Sequence, residues 1–358
     1  MDKELLKKEI ISLCSLMTVS GFENRSASEA ERLYSGRFDE IRTDAAGNIL
    51  LVKKCGREGA PKALVDAHLD EIGMIVTDVL DGGFLRIAPI GGVDPCIMQA
   101  ADVCVWGEEM LRGVVVSTPP HLRKSGDDKL PPVSELLVDV GLGYDTEELK
   151  KIVPIGSPVG FPPIYSELLG GKIVGKSFDD KACGAIAAAA VAEIPSEELA
   201  ADVYVMLSRY EETSYLGGVS AGAFALKPDY AMVIDVNLAS VPDVPKRETV
   251  DMDKGVSITL SAGTDRRLTG MTRALCDKDE IPYTLSVSPS YTGTNASTVN
   301  LVGDGVPVVD IGLPLKSMHT YNEVISLEDC MTLARLVKAF VTSTELGEAF
   351  LEKEEIIK

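Results

Sequence analysis

The sequence predicts an α/β protein built on a mixed, largely parallel sheet flanked by helices, with a small β-rich domain inserted into it. Two observations predict this. Apolar strand-like runs alternate with helical patterns through the last half of the chain, and one such strand also sits before residue 70. Between them the texture changes to short β-like runs punctuated by Gly and Pro. The expected division is an α/β domain of 1–70 and 166–358, with 71–165 inserted as a small β-barrel or sandwich.

The elements follow in order. Residues 3–17 and 26–34 read as amphipathic helices. Residues 40–52 read as a hairpin turning at Ala45-Ala46-Gly47-Asn48. The run 63–67 is apolar except for Asp66, close to the type of strand buried on both faces of a parallel sheet. In the insertion, 74–79 and 84–90 form a hairpin around Leu80-Asp81-Gly82-Gly83, and 103–106, 111–117 and 136–140 add strands. Pro119-Pro120 and Pro131-Pro132 bracket a charged loop, 123–129. Beyond 173, helices are expected at 181–194, 217–225, 268–278, 295–301 and 327–346. Strands are expected at 201–208, 230–236, 257–261, 284–287 and 306–311.

Composition narrows the function. The chain has 358 residues, 45% hydrophobic and 25% charged, which suits a globular protein with a substantial core. A net charge of -20 argues against a nucleic-acid surface, which needs clustered Lys and Arg. It permits cationic ligands or metal-binding carboxylates. The seven cysteines are odd in number and form no C-x-x-C pair, so a reduced compartment fits. No signal peptide follows the charged start, and no apolar run approaches the ~20 residues of a membrane span. The expectation is a cytoplasmic protein with neither nucleic acid nor membrane as partner.

In open α/β sheets, ligands bind beyond the carboxyl ends of the strands. The strand 63–67 ends in His68-Leu69-Asp70, and residues i and i+2 of an extended segment face one side. Strand 201–208 runs into Glu211-Glu212, strand 230–236 carries Asp235 at its end, and strand 306–311 leads to a loop bearing His319. Asp179 and Asp180 precede the helix at 181. Each has a plain structural reading: a helix cap for the Asp pair, a solvated turn for the Glu pair, a turn residue for Asp235, a surface histidine for His319. Five segments bringing these residue types to one sheet edge favour instead a site for two divalent ions. The chain has only three histidines, and two of them are here.

The segments Ala67-His68-Leu69-Asp70-Glu71-Ile72-Gly73, Phe178-Asp179-Asp180-Lys181, Glu211-Glu212-Thr213, Val233-Ile234-Asp235-Val236 and His319-Thr320-Tyr321-Asn322-Glu323-Val324 form a specific set. As a set it resembles the tetrahedral (TET) aminopeptidases, dinuclear metallopeptidases also called glutamyl or deblocking aminopeptidases and sometimes labelled endoglucanases. The likeness covers nearly the whole chain, including the insertion and Gly91-Gly92. It implies a zinc-peptidase-like α/β domain with a PDZ-like β insertion used for dimerisation and assembly. It implies that His68 and Asp235 bind one metal, that Glu212 and His319 bind the other, and that Asp179 bridges them. Asp70 would orient His68, and Glu211 would be the general base.

The implied activity is removal of N-terminal residues from short peptides by a water activated between two divalent ions, zinc or cobalt first and manganese also suitable. The implied assembly is a homo-oligomer of dimers building a dodecamer. Two alternatives remain at this point. One is an amidohydrolase or deacylase acting on N-acyl amino acids or blocked peptides with the same metals. The other is a non-catalytic, metal-dependent assembly protein, which would not require Glu211 as a base beside Glu212. The chain departs from the family at Asn237-Leu238, at Asn295, at Lys316-Ser317 and in Gly255-Val256-Ser257, near where the substrate side chain should sit. His121 is expected in a structural or interface role, Cys183 as a packing residue, and Arg266-Arg267 as a solvated helix start.

Overall fold

The run 62–68 sits at the centre of the sheet, and every residue from Ala63 to His68 is buried, as a strand covered on both faces requires. The computed structural model describes residues 1–117, 121, 130–141, 146–213 and 217–351. Among these the main sheet has 11 strands. Lys62–His68 pairs in parallel with Asp202–Ser208 on one side and Tyr230–Leu238 on the other. Tyr230–Leu238 in turn pairs in parallel with Val308–Lys316. Antiparallel strands extend both flanks: Ile49–Lys53 and Glu40–Thr43 beyond one, Glu323–Ser326, Lys172–Gly175 and Ser166–Leu168 beyond the other. Val256–Ser261 pairs antiparallel with Val308–Lys316 and carries Tyr283–Ser288 in parallel. The sheet is mixed, with its parallel part at the centre.

Helices cover both faces. Phe178–Ala192 is buried along nearly its whole length and packs on the central strands beside Lys3–Cys14 and Leu327–Thr342. Its small residues allow the close approach: a Cβ on Gly184 would come within 2.8 Å of the Leu207 side chain. Gly217–Leu226 and Ala296–Val299 cover the opposite face.

The β-rich insertion is a closed barrel of six strands, in the order Gly73–Leu80, Phe84–Ile90, Leu137–Asp139, Met110–Val115, Asp102–Trp106 and Pro158–Gly160. Closure removes the exposed strand edge that an open sheet would leave. The barrel has its own core, with Met74, Leu85, Ile87 and Val138 fully buried.

Some elements differ from the sequence reading. The strands expected to stop at 236 and 311 run on to Leu238 and Lys316, because they pair with each other through Leu238 and Leu315. Asp235 therefore lies inside a strand rather than at its end. The last helix breaks at Ser343, whose Oγ accepts the N–H of Leu346 at 3.3 Å and starts a second helix, Thr344–Leu351. The helix expected at 295–301 shortens to Ala296–Val299. Two short helices in the insertion, Pro95–Met98 and Thr146–Ile152, were hidden by the β-like texture around them. The loop 123–129 and the pair Pro119-Pro120 lie outside the described residues, and His121 is exposed. All seven cysteines are free. Among the described residues no helix is long and apolar enough to cross a membrane.

A buried ionic cluster fastens the barrel junction to the helical layer. Glu71, two residues before the barrel, accepts hydrogen bonds from Lys176 Nζ at 2.5 Å and Lys181 Nζ at 3.0 Å. Ser177 Oγ donates to the same oxygen, and the N–H of Thr18 donates to the other at 2.9 Å. Burial alone would raise the Glu71 carboxyl, but Lys176 and Lys181 outweigh it and hold the group down at about 2. Glu71→Gln would leave two buried lysines without their carboxylate, at an expected cost of roughly 3–5 kcal/mol in urea unfolding. The wild-type contribution is complete above the ordinary carboxyl value of 4.5 and drains away as the pH falls towards 2. That part of the acid dependence should be missing in the variant. An unfolding midpoint equal to wild type at pH 7 would contradict the assignment.

Candidate active site

The parallel register sets the site. His68 stands opposite Ser208, and Asp235 opposite Gly312, so both ligand-type side chains reach the same sheet edge. The N–H of Leu69 continues the ladder to the Ser208 carbonyl at 2.7 Å and fixes the chain where it leaves the sheet. His68 Nδ1 lies 3.0 Å from the main-chain oxygen of Asp70. That contact makes Nδ1 the donor and turns Nε2 towards the site.

Two carboxylates hold the surrounding turns. Asp70 was expected to orient His68 through its side chain, yet its Oδ1 lies 3.6 Å from Nδ1, beyond hydrogen-bond range. Its oxygens instead accept the N–H groups of Glu211 at 3.2 Å and Glu212 at 3.1 Å. The main chain of Asp70 orients the imidazole, and its side chain holds the Glu211-Glu212 turn. Glu323 does the same elsewhere: Oε2 accepts the N–H of Asp179 at 3.1 Å and Oε1 the N–H of His319 at 3.2 Å. The sequence reading gave Glu323 no role. The available signal was a second acid four residues after His319.

Asp179 and Asp180 do not cap the helix. Ser177 precedes it in a left-handed conformation (φ 58°), Asp179 is extended at ψ 107°, and the peptide between the two aspartates is cis. Asp180 Oδ2 accepts the N–H of His68 at 3.1 Å, beneath the site. The barrel also reaches in. A Cβ on Gly92 would lie 2.5 Å from His319 Nδ1, and one on Gly91 would lie 3.3 Å from the Glu212 carbonyl. Only glycine permits that approach.

The seven residues singled out from the sequence come together. His68 Nε2 is 3.2 Å from Asp179 Oδ1 and 4.0 Å from Asp235 Oδ1. His319 Nε2 is 3.5 Å from Asp179 Oδ2 and 3.4 Å from Glu212 Oε2. Within each trio, His68–Asp179–Asp235 and Asp179–Glu212–His319, one ligand atom per residue lies within 4.8 Å of the others. Glu211 Oε2 approaches His68 Nε2 to 3.8 Å.

Burial, then neighbouring carboxylates, push Glu212 and Asp235 well above the usual carboxylate range. Burial is also the main reason Glu211 rises to about 7. Burial alone would lower His68, but Asp179, Glu211 and Asp235 around it raise it well above its ordinary value. Among the described residues no Lys or Arg pairs with Asp179, Glu211, Glu212 or Asp235, whose ion-pair partners there are histidines. Clustered buried carboxylates without a cationic side chain, beside imidazole nitrogens turned inward, are the donor set of divalent cations.

A cavity of about 920 Å³ opens over the cluster, walled by Ile90, Leu238, Tyr291 and Met318 among others. Of the departures from the family, Asn237 and Leu238 line it, whereas Lys316, Ser317 and Asn295 do not. Asn295 lies beneath, where its Nδ2 donates to Asp66 Oδ2 at 2.8 Å and Ser208 Oγ at 3.0 Å. Cys183 is fully buried, and burial pushes its thiol well above the usual value, as suits a packing residue. Arg266 and Arg267 are exposed beside Val308, at the opposite end of its strand from the site.

Comparison with known proteins gives a consistent picture. Residues 47–336 match the model of the M42 glutamyl aminopeptidase family. The chain is 29% identical to a lysyl aminopeptidase of Pyrococcus furiosus, covering 95% of this chain and 96% of that one. The fold superimposes on an aminopeptidase of the archaeon Desulfurococcus kamchatkensis with a TM-score of 0.89, at 31% identity and 99% coverage of both chains. It superimposes on the TET1 peptidase of Pyrococcus horikoshii with a TM-score of 0.83, at 27% identity, covering 94% of this chain and 99% of that one. That peptidase can assemble into a tetrahedron or a large octahedral shell. These relatives are peptidases and lend no support to a deacylase or a non-catalytic scaffold. With a family model matched over most of its length and a fold shared end to end with solved aminopeptidases, the chain belongs to the M42 glutamyl aminopeptidase family and is a metal-dependent aminopeptidase.

Proposed function

We propose that the protein removes N-terminal residues from short peptides with two divalent cations that share Asp179. One observation carries this reading: the two oxygens of Asp179 face different imidazoles, Oδ1 towards His68 and Oδ2 towards His319. His68 and Asp235 would hold one cation, Glu212 and His319 the other. The oxygen and nitrogen donors suit zinc or cobalt, and manganese also. When bound, such cations acidify water and stabilise negative charge on the scissile carbonyl oxygen.

Glu211 is the carboxylate left outside both trios. Beside the site and outside both trios, its carboxylate is placed to accept a proton from the attacking water and hand it to the leaving amine. Asp70 keeps Glu211 and Glu212 at fixed spacing by binding both of their N–H groups. Glu323 does this for Asp179 and His319.

The assembly reading rests on the barrel and on the shell-forming Pyrococcus horikoshii relative. We assign 71–165 to dimerisation and assembly, 1–70 with 166–358 to catalysis, and to the whole a dodecamer built from dimers. The free cysteines support a cytoplasmic setting.

Glu211→Gln should keep its divalent metal by elemental analysis yet lose about 10²–10⁴-fold in kcat on aminoacyl amides. Unchanged turnover would remove Glu211 from the mechanism. Free-amine peptides should be cleaved and their N-acetylated forms spared; the reverse pattern would refute the aminopeptidase reading. Asp70→Asn offers one acceptor oxygen where two are used. It should retain metal and lose roughly 10–100-fold in kcat, whereas metal loss with the kcat per bound metal preserved would contradict the turn-holding role. Gly92→Ala should displace His319 and lower metal content after dialysis, with recovery in excess metal. Full metal retention and wild-type KM would show that the barrel rim does not constrain the site.

A further inference from the structure

The cavity above the cluster carries more carboxylate than the chemistry uses. Asp179, Glu212 and Asp235 are matched to cations, and Glu211 to proton transfer. Glu248, on the short turn Lys246–Glu248, also lines the wall and has no part in either task. Its ion-pair partner is Arg247, with Nε at 3.2 Å, and both side chains are largely exposed (83% and 55%). An exposed pair of this kind contributes little and exchanges readily for another cation.

A second wall residue points the same way. Ser257 Oγ donates to the Gly312 carbonyl at 3.3 Å, so it must accept from Asn237, whose Nδ2 lies 2.5 Å away. That assignment turns the amide nitrogen of Asn237 away and leaves Oδ1, an acceptor, as its free polar atom on the cavity wall. Tyr291 adds an aromatic ring, 58% exposed, on the same cavity. Among the described residues no Lys or Arg lines the cavity.

Resting on the aminopeptidase reading, we infer that this cavity selects peptides that begin with lysine or arginine, and that Glu248 pairs with the cationic side chain. A lysine or arginine side chain meets a carboxylate, a carbonyl oxygen and a π face, each of which attracts a cation. An N-terminal glutamate or aspartate meets the like charge of Glu248 and, among the described residues, no lysine or arginine to pair with. An apolar residue loses the attraction but meets no repulsion, so it ranks between them. Glu248 acts on binding of the side chain, away from the reacting atoms.

The test uses the full-length, metal-loaded protein with lysyl, leucyl and glutamyl p-nitroanilides. The wild type should favour lysyl over glutamyl in kcat/KM by roughly 30-fold, about one attractive and one repulsive charge contact. Raising the salt should narrow that ratio. Glu248→Gln should lower the lysyl-to-leucyl ratio about fivefold, mostly through KM. Glu248→Lys should bring the glutamyl substrate level with or above the lysyl one. A wild type that prefers the glutamyl substrate, or a Glu248→Gln variant that changes lysyl and leucyl rates by the same factor, would overturn the inference. Failure to cleave all three amides would instead sink the aminopeptidase reading beneath it.

Discussion

The structure depends on a concentration of buried carboxylates that no lysine or arginine among the described residues neutralises. Asp179, Glu212 and Asp235 crowd around two imidazoles, with Glu211 beside them. Such a group is costly without protons or cations to offset its charge. The raised carboxyls record that cost, and divalent cations relieve it while supplying the Lewis acid that amide hydrolysis needs. Every nearby element works to keep these groups in place. Asp70 and Glu323 spend their oxygens on main-chain N–H groups of the ligand-bearing turns, so each ties two functional residues together.

A second charge arrangement, of opposite balance, sits beneath. There one carboxylate, Glu71, serves two buried lysines and joins the barrel to the segment that carries Asp179. The barrel is therefore not a loose appendage: its base is locked by this ionic cluster, and its Gly91-Gly92 rim presses on His319 and Glu212. Movement of the barrel relative to the sheet would disturb the Asp179–Glu212–His319 trio.

Much of this was legible in the sequence. The alternation of strands and helices gave the parallel centre, because apolar runs such as 63–67 cannot be half-exposed. The seven candidate site residues could be gathered from the sequence because the carboxyl ends of parallel strands converge, while the role expected of each came from the family resemblance. Less visible were features set by long-range partners. Lys316 belongs to a strand because Val324, on the strand Glu323–Ser326, pairs with it. The task of the Asp70 side chain depended on where the Glu211-Glu212 turn folds back, which spacing alone does not specify. Glu323 was quoted in a motif without a role, since its two N–H partners lie 144 and 4 residues away.

The central claim is that Asp179 is shared by two cations. Anomalous scattering from crystals of the metal-loaded protein tests it most directly. Two peaks per chain are predicted, one beside each oxygen of Asp179, the first with His68 and Asp235 and the second with Glu212 and His319. A single peak, or two peaks of which Asp179 touches only one, would contradict the account.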